Sequence, residues 1–142
     1  MSGNFLARLK AAALALALTS GGVATCLAEA PPLAGEAFGA ATIGRTFYYS
    51  RDGQSYGVEQ YLPGRRVIWA FTGDDCRKGF WYPEGQEICF VYEATPEPQC
   101  WTFRQTGAGL TAVYRGDTEN APLIARRSSP EPMACLGPDV GV

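Results

Sequence analysis

Residues 86–105 read QEICFVYEATPEPQCWTFRQ, and this stretch decides the fold. Two runs, Gln86 to Glu93 and Gln99 to Gln105, are dense in β-branched and aromatic residues, the side chains that fit a pleated, half-buried surface. Between them, Ala94-Thr95-Pro96-Glu97-Pro98 carries two prolines, which have no N–H to give to a ladder, so the segment reads as the connection of a hairpin. Pairing residues whose numbers sum to 189 sets Cys89 opposite Cys100 and Ile88 opposite Trp101. Both pairs are chemically sensible in that one register, and a slip of one residue would turn every side chain to the other face.

Outward from this hairpin, Thr46 to Ser50, Tyr56 to Leu62, Arg66 to Thr72, Gly79 to Tyr82 and Leu110 to Arg115 also read as strands, with Leu123 to Ala125 as a last short one. Arg51-Asp52-Gly53, Pro63-Gly64, Gly73-Asp74-Asp75, Pro83-Glu84-Gly85 and Thr106-Gly107-Ala108-Gly109 separate them, and these are turn residues. Short strands punctuated this often predict an all-β domain, an antiparallel meander that forms a small barrel or sandwich. Val67, Trp69 and Phe71 alternate with Ile68 and Ala70, so that strand reads as buried on both faces. Upstream, Leu33, Ala37, Phe38 and Ala41 recur at helical spacing and Gly44 follows as a stop, which predicts a short N-terminal helix around Ala34 to Ile43. The expected organisation is a flexible, Pro- and Ala-rich lead within 29–43 that ends in this helix, a β-domain over 44–127, and an irregular C-terminal tail over 128–142, held by Cys135.

The first 28 residues read as something else. Asn4 to Lys10 carry two positive charges, Ala11 to Leu18 are uninterruptedly apolar, and Thr19 to Ala28 are mostly small, the three-part layout of a secretory signal peptide. The apolar run breaks at Thr19-Ser20-Gly21-Gly22, short of the roughly 20 residues a spanning helix needs. No transmembrane segment is expected once the signal is cleaved before Glu29. A second reading takes Val23-Ala24-Thr25-Cys26 as a lipoprotein box with acylation at Cys26, against which Thr25 is large for its position. Export also fixes the redox setting. With Cys26 removed or acylated, Cys76, Cys89, Cys100 and Cys135 remain, an even set that reads as two disulfides in an oxidising compartment. Their spacing lacks the close pairs of a zinc site. The hairpin register selects Cys89 with Cys100, and parity then leaves Cys76 with Cys135.

Composition narrows the chemistry. There is no histidine among 142 residues, which removes Ser-His and Cys-His nucleophile arrangements and imidazole metal sites. Removing Arg8 and Lys10 with the signal leaves 10 basic against 14 acidic residues, a balance of −4, so nucleic acid is not an expected partner and an electrostatically steered one should be basic. No metal or cofactor is expected. Asp74 and Asp75, and the strand residues Glu59, Glu87 and Glu93, are the candidate acids and bases; against this, Gly73 marks a turn, so the aspartates read as a solvated loop, and one sequence does not fix the separation a glycosidase pair needs. Trp69, Trp81 and Trp101 with Tyr48, Tyr49, Tyr56 and Tyr82 can line a ligand face. In a domain this small they more simply build its core. Arg65-Arg66 and Arg126-Arg127 read as exposed strand ends, and Gly107-Ala108-Gly109 as a hairpin turn without the lysine of a phosphate loop.

In order along the chain stand Gly44-Arg45-Thr46, Asp52-Gly53, Gly79-Phe80-Trp81, Ile88-Cys89-Phe90-Val91-Tyr92 and Cys100-Trp101. Over residues 34–115 this resembles a group of small, signal-bearing alphaproteobacterial proteins that share a G-x-W, then C-F-x-Y, then C-W layout. The resemblance implies a periplasmic protein without an established activity and supplies no catalytic residues; Cys76, Cys135 and the tail lie outside it. The expectation is a periplasmic or secreted, non-catalytic β-domain that binds another protein of the cell envelope, as an inhibitor or an interaction module. Two alternatives are a small carrier of an apolar or glycan ligand and a carboxylate-dependent glycan hydrolase using Asp74, Asp75, Glu59 or Glu87.

Overall fold

The computed structural model describes residues 28–135. Residues 1–27 of the expected signal peptide, Cys26 among them, and the end of the tail therefore lie outside the described residues. A short helix, α1 (Glu36–Thr42), precedes eight strands: β1 (Thr46–Arg51), β2 (Gln54–Leu62), β3 (Arg66–Phe71), β4 (Arg77–Glu84), β5 (Glu87–Tyr92), β6 (Thr95–Thr106), β7 (Gly109–Tyr114) and β8 (Leu123–Ser129). Each pairs antiparallel with its neighbour in sequence, and β8 returns to β1, closing an up-and-down barrel. Closure leaves no free edge. Among the described residues no helix is long and apolar enough to cross a membrane.

Turn chemistry sets the meander. At the first hairpin Asp52 and Gly53 both take positive φ, 49° and 77°, the pair of values a two-residue type I′ turn requires. The central hairpin has the expected register, with Ile88 opposite Trp101 and Cys89 opposite Cys100, and both disulfides form, Cys89–Cys100 and Cys76–Cys135. Its connection differs from expectation. Pro96 and Pro98 lie within β6, not in the turn. The pairing shifts between Phe90↔Gln99 and Tyr92↔Thr95, so the prolines sit in an irregularity where their missing N–H groups leave no rung unfilled. Pro83 and Glu84 likewise belong to β4, and the following turn is Gly85-Gln86.

Three further expectations are corrected. The β-domain does not end at 127: β8 runs to Ser129, which pairs with Thr46, because β1 needs a partner along its whole outer side. The tail is not irregular from 128, and its next residues are packed. Thr46 Oγ1 donates to the Glu131 carbonyl at 2.7 Å, and buried Met133 places its N–H on Gln60 Oε1. The lead from Glu29 to Gly35 is not free either. β6 outruns β5 beyond Trp101, and Leu33 donates its N–H to the Phe103 carbonyl at 2.7 Å while Arg104 reaches the Ala30 carbonyl and Glu29. The uncovered backbone of β6 thus finds its partner in the lead.

The helix positions the core. Phe38, fully buried, stands among Tyr61, Trp81, Phe90 and Phe103 with ring centroids 4.6 to 6.3 Å away, so α1 plugs the end of the barrel where β1 begins. Gly44, at φ 81°, turns the chain and donates to the Tyr61 carbonyl. The strand Arg66–Phe71 is buried at Val67, Trp69 and Ala70, but Ile68, on the barrel's outer face, is half-buried, and Phe71, on the inward face, is exposed because it stands at the open rim.

Candidate functional site

With α1 in one end, the space left inside lies at the other. A cavity of about 100 Å³ opens there, lined by Tyr49, Glu59, Trp69, Phe90, Tyr92 and Trp101, with Tyr56, Phe71, Arg77, Thr95 and Gln99 towards its rim. Strand alternation places it. On β2, Glu59 and Tyr61 share the inward parity; Glu59 pairs with Trp69 across β3, and Trp69 turns inward with it. Two glycines make the walls fit. A methyl group on Gly57 would run into the indole of Trp69, and one on Gly79 would meet the ring of Tyr92 and the Val91 carbonyl. Each missing side chain is the space an aromatic ring takes.

Glu59 is 4% exposed and hydrogen-bonded inside the barrel. Tyr92 Oη donates to its Oε1 at 2.7 Å and Tyr61 Oη to its Oε2 at 2.8 Å. Tyr49 Oη lies 3.0 Å from Tyr61 Oη. A phenol has one proton, so with Glu59 ionised the chain runs Tyr49 to Tyr61 to Glu59. Each carboxylate oxygen then accepts one hydrogen bond and keeps a further acceptor direction. Burial pushes the Glu59 carboxyl up to about 7, against the pull of the Tyr92 and Tyr61 hydroxyls. Burial foremost, then the Glu59 charge, raises Tyr61 and Tyr92, and Tyr49 in the same way, so all three remain protonated donors.

The candidates read from sequence separate clearly. Tyr49, Tyr56, Trp69 and Trp101 reach the mouth. Trp81 sits against Phe38 at the plugged end, under the guanidinium of Arg65. Tyr48 carries Arg127 on its ring, 3.7 Å away, and Tyr82 is half-buried. Asp74 and Asp75 are exposed in the β3–β4 loop, where Asp74 pairs with Arg77 at 2.9 Å. Glu87 pairs with Arg115, which also binds Glu84. Glu87 has the parity opposite to inward Ile88, so it and Glu59 stand on opposite sides of the wall and form no acid and base pair. Arg66 donates to the Pro63 carbonyl, and Gly107-Ala108 is a two-residue hairpin turn. Among the described residues one group of potential metal-ligand atoms gathers, Glu84 with Cys89 and Cys100, and the disulfide already takes both sulfurs.

Sequence reasoning groups Glu59 with Glu87 and Glu93 and misses the tyrosines that hold Glu59; Glu93 is not on a strand but exposed in the turn after β5. The signal was present: a glutamate two residues before Tyr61 on one strand must face the same side as that tyrosine, and a neighbouring strand rich in Trp and Val says that side is the core. Outside the barrel a second, wider groove runs past Leu62, Ile68, Phe80, Val91 and Met133. Phe80, half exposed, is its most prominent apolar side chain.

No protein-family model, no curated protein and no solved structure matches this chain.

Proposed function

We propose that the chain is a non-catalytic binding barrel of the periplasm or the secreted medium, and that its mouth receives a group presented by a partner protein. The observation that carries this is the shape of the interior. Phe38, Phe90, Phe103 and Tyr61 fill it, and the space left, about 100 Å³, is below the roughly 300 Å³ at which pockets for drug-sized ligands begin. A bulky apolar or glycan cargo does not fit inside the barrel; one side-chain-sized group does. The two disulfides suit an exported domain. Against a hydrolase, Glu59 is the only carboxylate lining the cavity among the described residues, with phenols and Arg77 as the other titratable groups.

Affinity capture from cell envelopes tests the reading. The wild-type barrel should retain a specific partner, and Thr95→Trp, which sets an indole at the rim, should lose it. A partner retained equally by both proteins, or no specific partner, would count against the mouth as the binding site.

A further inference from the structure

We propose that the mouth is a cation site: it takes an ammonium or guanidinium group, with the Glu59 carboxylate as counter-ion at the floor and the rings of Trp69, Tyr92 and Trp101 as walls. This rests on the mouth being the binding site. Three observations bear on it independently of one another.

The first is the floor. A lone carboxylate that keeps acceptor directions after binding two phenols is an incomplete pair, and the group that completes it donates hydrogen bonds and carries positive charge. The second is the wall, where the rings of Trp69, Tyr92 and Trp101 line the cavity beside Glu59; aromatic rings attract cations, more strongly where water is excluded. The rim already shows this chemistry within the chain, since Arg51 lies 4.9 Å from the ring centre of Tyr56 and Arg77 lies 5.3 Å from that of Phe71.

The third is the distribution of charge over the barrel. An up-and-down meander sends alternate connections to opposite ends, so the β1–β2, β3–β4, β5–β6 and β7–β8 connections all surround the mouth. They carry Asp52, Asp74, Asp75, Glu93, Asp117 and Glu119. Of the cations at this end, Arg77 pairs with Asp74, Arg51 lies on the Tyr56 ring and Arg115 pairs with Glu84 and Glu87, while Lys78 lies on the outward parity of β4. An excess of one sign of charge around a concave site focuses the field and raises the local concentration of the opposite ion. The ammonium or guanidinium can come from a lysine or arginine of a partner protein or from a free amine.

Proton and cation then compete for Glu59. The groups that face it are the hydroxyls of Tyr61 on its own strand, Tyr92 on β5 and Tyr49 on β1, with Arg77 of β4 on the same cavity lining. The phenols do not ionise near neutrality, and the chain has no histidine.

Trp69 and Trp101 line the cavity, so tryptophan fluorescence reads occupancy. Butylammonium, methylguanidinium and the neutral isostere butanol are titrated into the wild-type protein at pH 6 and pH 8, and into Glu59→Gln, whose fold is checked by near-ultraviolet circular dichroism. The expected result is saturable binding of the cations over butanol, about tenfold tighter at pH 8 than at pH 6 for a group titrating near 7, and loss of that preference in Glu59→Gln. Equal binding of butanol, or cation affinity that does not change with pH, would overturn the cation site and leave the mouth as an apolar one. If no probe perturbs the tryptophans, the mouth as a binding site fails as well. Nα-acetyl-lysine amide and Nα-acetyl-arginine amide separate the sources, since tighter binding than the simple cations points to a partner's side chain and weaker binding to a free amine, either of which upholds the site.

Discussion

Tyr92 on β5 donates a hydrogen bond of 2.7 Å to Glu59 on β2, across the interior of the barrel and past two intervening strands. It is a cross-brace that no ladder supplies. Its strength depends on whether Glu59 is charged, because hydrogen bonds to ionised acceptors are roughly twice as strong as neutral ones. Tyr92→Phe should therefore cost about 1.5 to 3 kcal/mol at pH 8 and less at pH 5, where Glu59 holds its own proton. Urea denaturation of both proteins at the two pH values measures the difference, and an equal loss at both would mean the bond does not report the ionisation of Glu59.

The same residue makes the barrel's stability depend on pH with an unusual sign. The folded Glu59 titrates near 7 and an unconstrained glutamate near 4.5, so between these values the folded state holds a proton that the unfolded state has released. Stability is then full below about pH 4.5 and is lost as pH rises through 7, by about 3 kcal/mol in all. No histidine titrates in that window. Asp117, lowered chiefly by the N–H of Asn120, acts in the opposite sense and only at lower pH. The midpoint of urea unfolding should fall between pH 5 and pH 8, and Glu59→Gln should flatten the profile.

The glycines under the mouth can be tested by filling them. Gly57→Ala forces a methyl against the Trp69 indole and the Ala70 carbonyl, and Gly79→Ala forces one against Tyr92 and the Val91 carbonyl. Backbone atoms stand on both sides, so neither site relaxes by a side chain swinging away. Each change should cost about 1 to 3 kcal/mol, and Gly57→Ala should also shift the tryptophan emission. Unaltered stability in both would show that the rings do not need the space.

How much of this was legible follows from what each feature depends on. The register of β5 on β6 was readable because two cysteines and an Ile-Trp pair agree on one alignment, a local fact. That the meander closes was not readable, since the β8–β1 pairing joins residues such as Thr46 and Ser129, and the tail sequence Arg126-Arg127-Ser128-Ser129 carries no strand pattern of its own; it is a strand because β1 lacks a partner. The prolines misled for a similar reason. They forbid a regular ladder but not a bulge, and the shift between Phe90 and Tyr92 lies where sequence cannot show it. The site was half legible: Glu59 and Trp69 stood out as residue types, whereas the focus on one carboxylate needs Tyr92 brought from 33 positions away.

The two disulfides should differ in weight. Closing 59 residues between Cys76 and Cys135 restricts the unfolded chain more than closing 11 between Cys89 and Cys100, about 4 against about 3 kcal/mol in the chain-entropy model. The long one also anchors the tail whose Met133 is buried against Gln60. Replacing Cys76 and Cys135 by serine should therefore lower the unfolding free energy more than replacing Cys89 and Cys100. Peptide mapping without reductant should recover those two pairs alone, and a Cys76–Cys89 peptide would contradict the barrel's register.

Phe38 is the residue on which the closed end of the barrel depends. It is fully buried, touches four inward-facing rings, and is held by a helix of only seven residues, too short to be stable in water by itself. The helix is in place because the phenylalanine is, and the phenylalanine because the barrel leaves room for one ring. Phe38→Ala removes both sides of that arrangement and should cost about 3 to 5 kcal/mol. It should also loosen α1, seen as faster amide exchange at Thr42 and Ile43, while Trp69 at the far mouth keeps its emission. If Trp69 responds as strongly as Trp81, which packs on Phe38 at 5.0 Å, the two ends of the interior are not the separate compartments that place the binding group at the mouth alone.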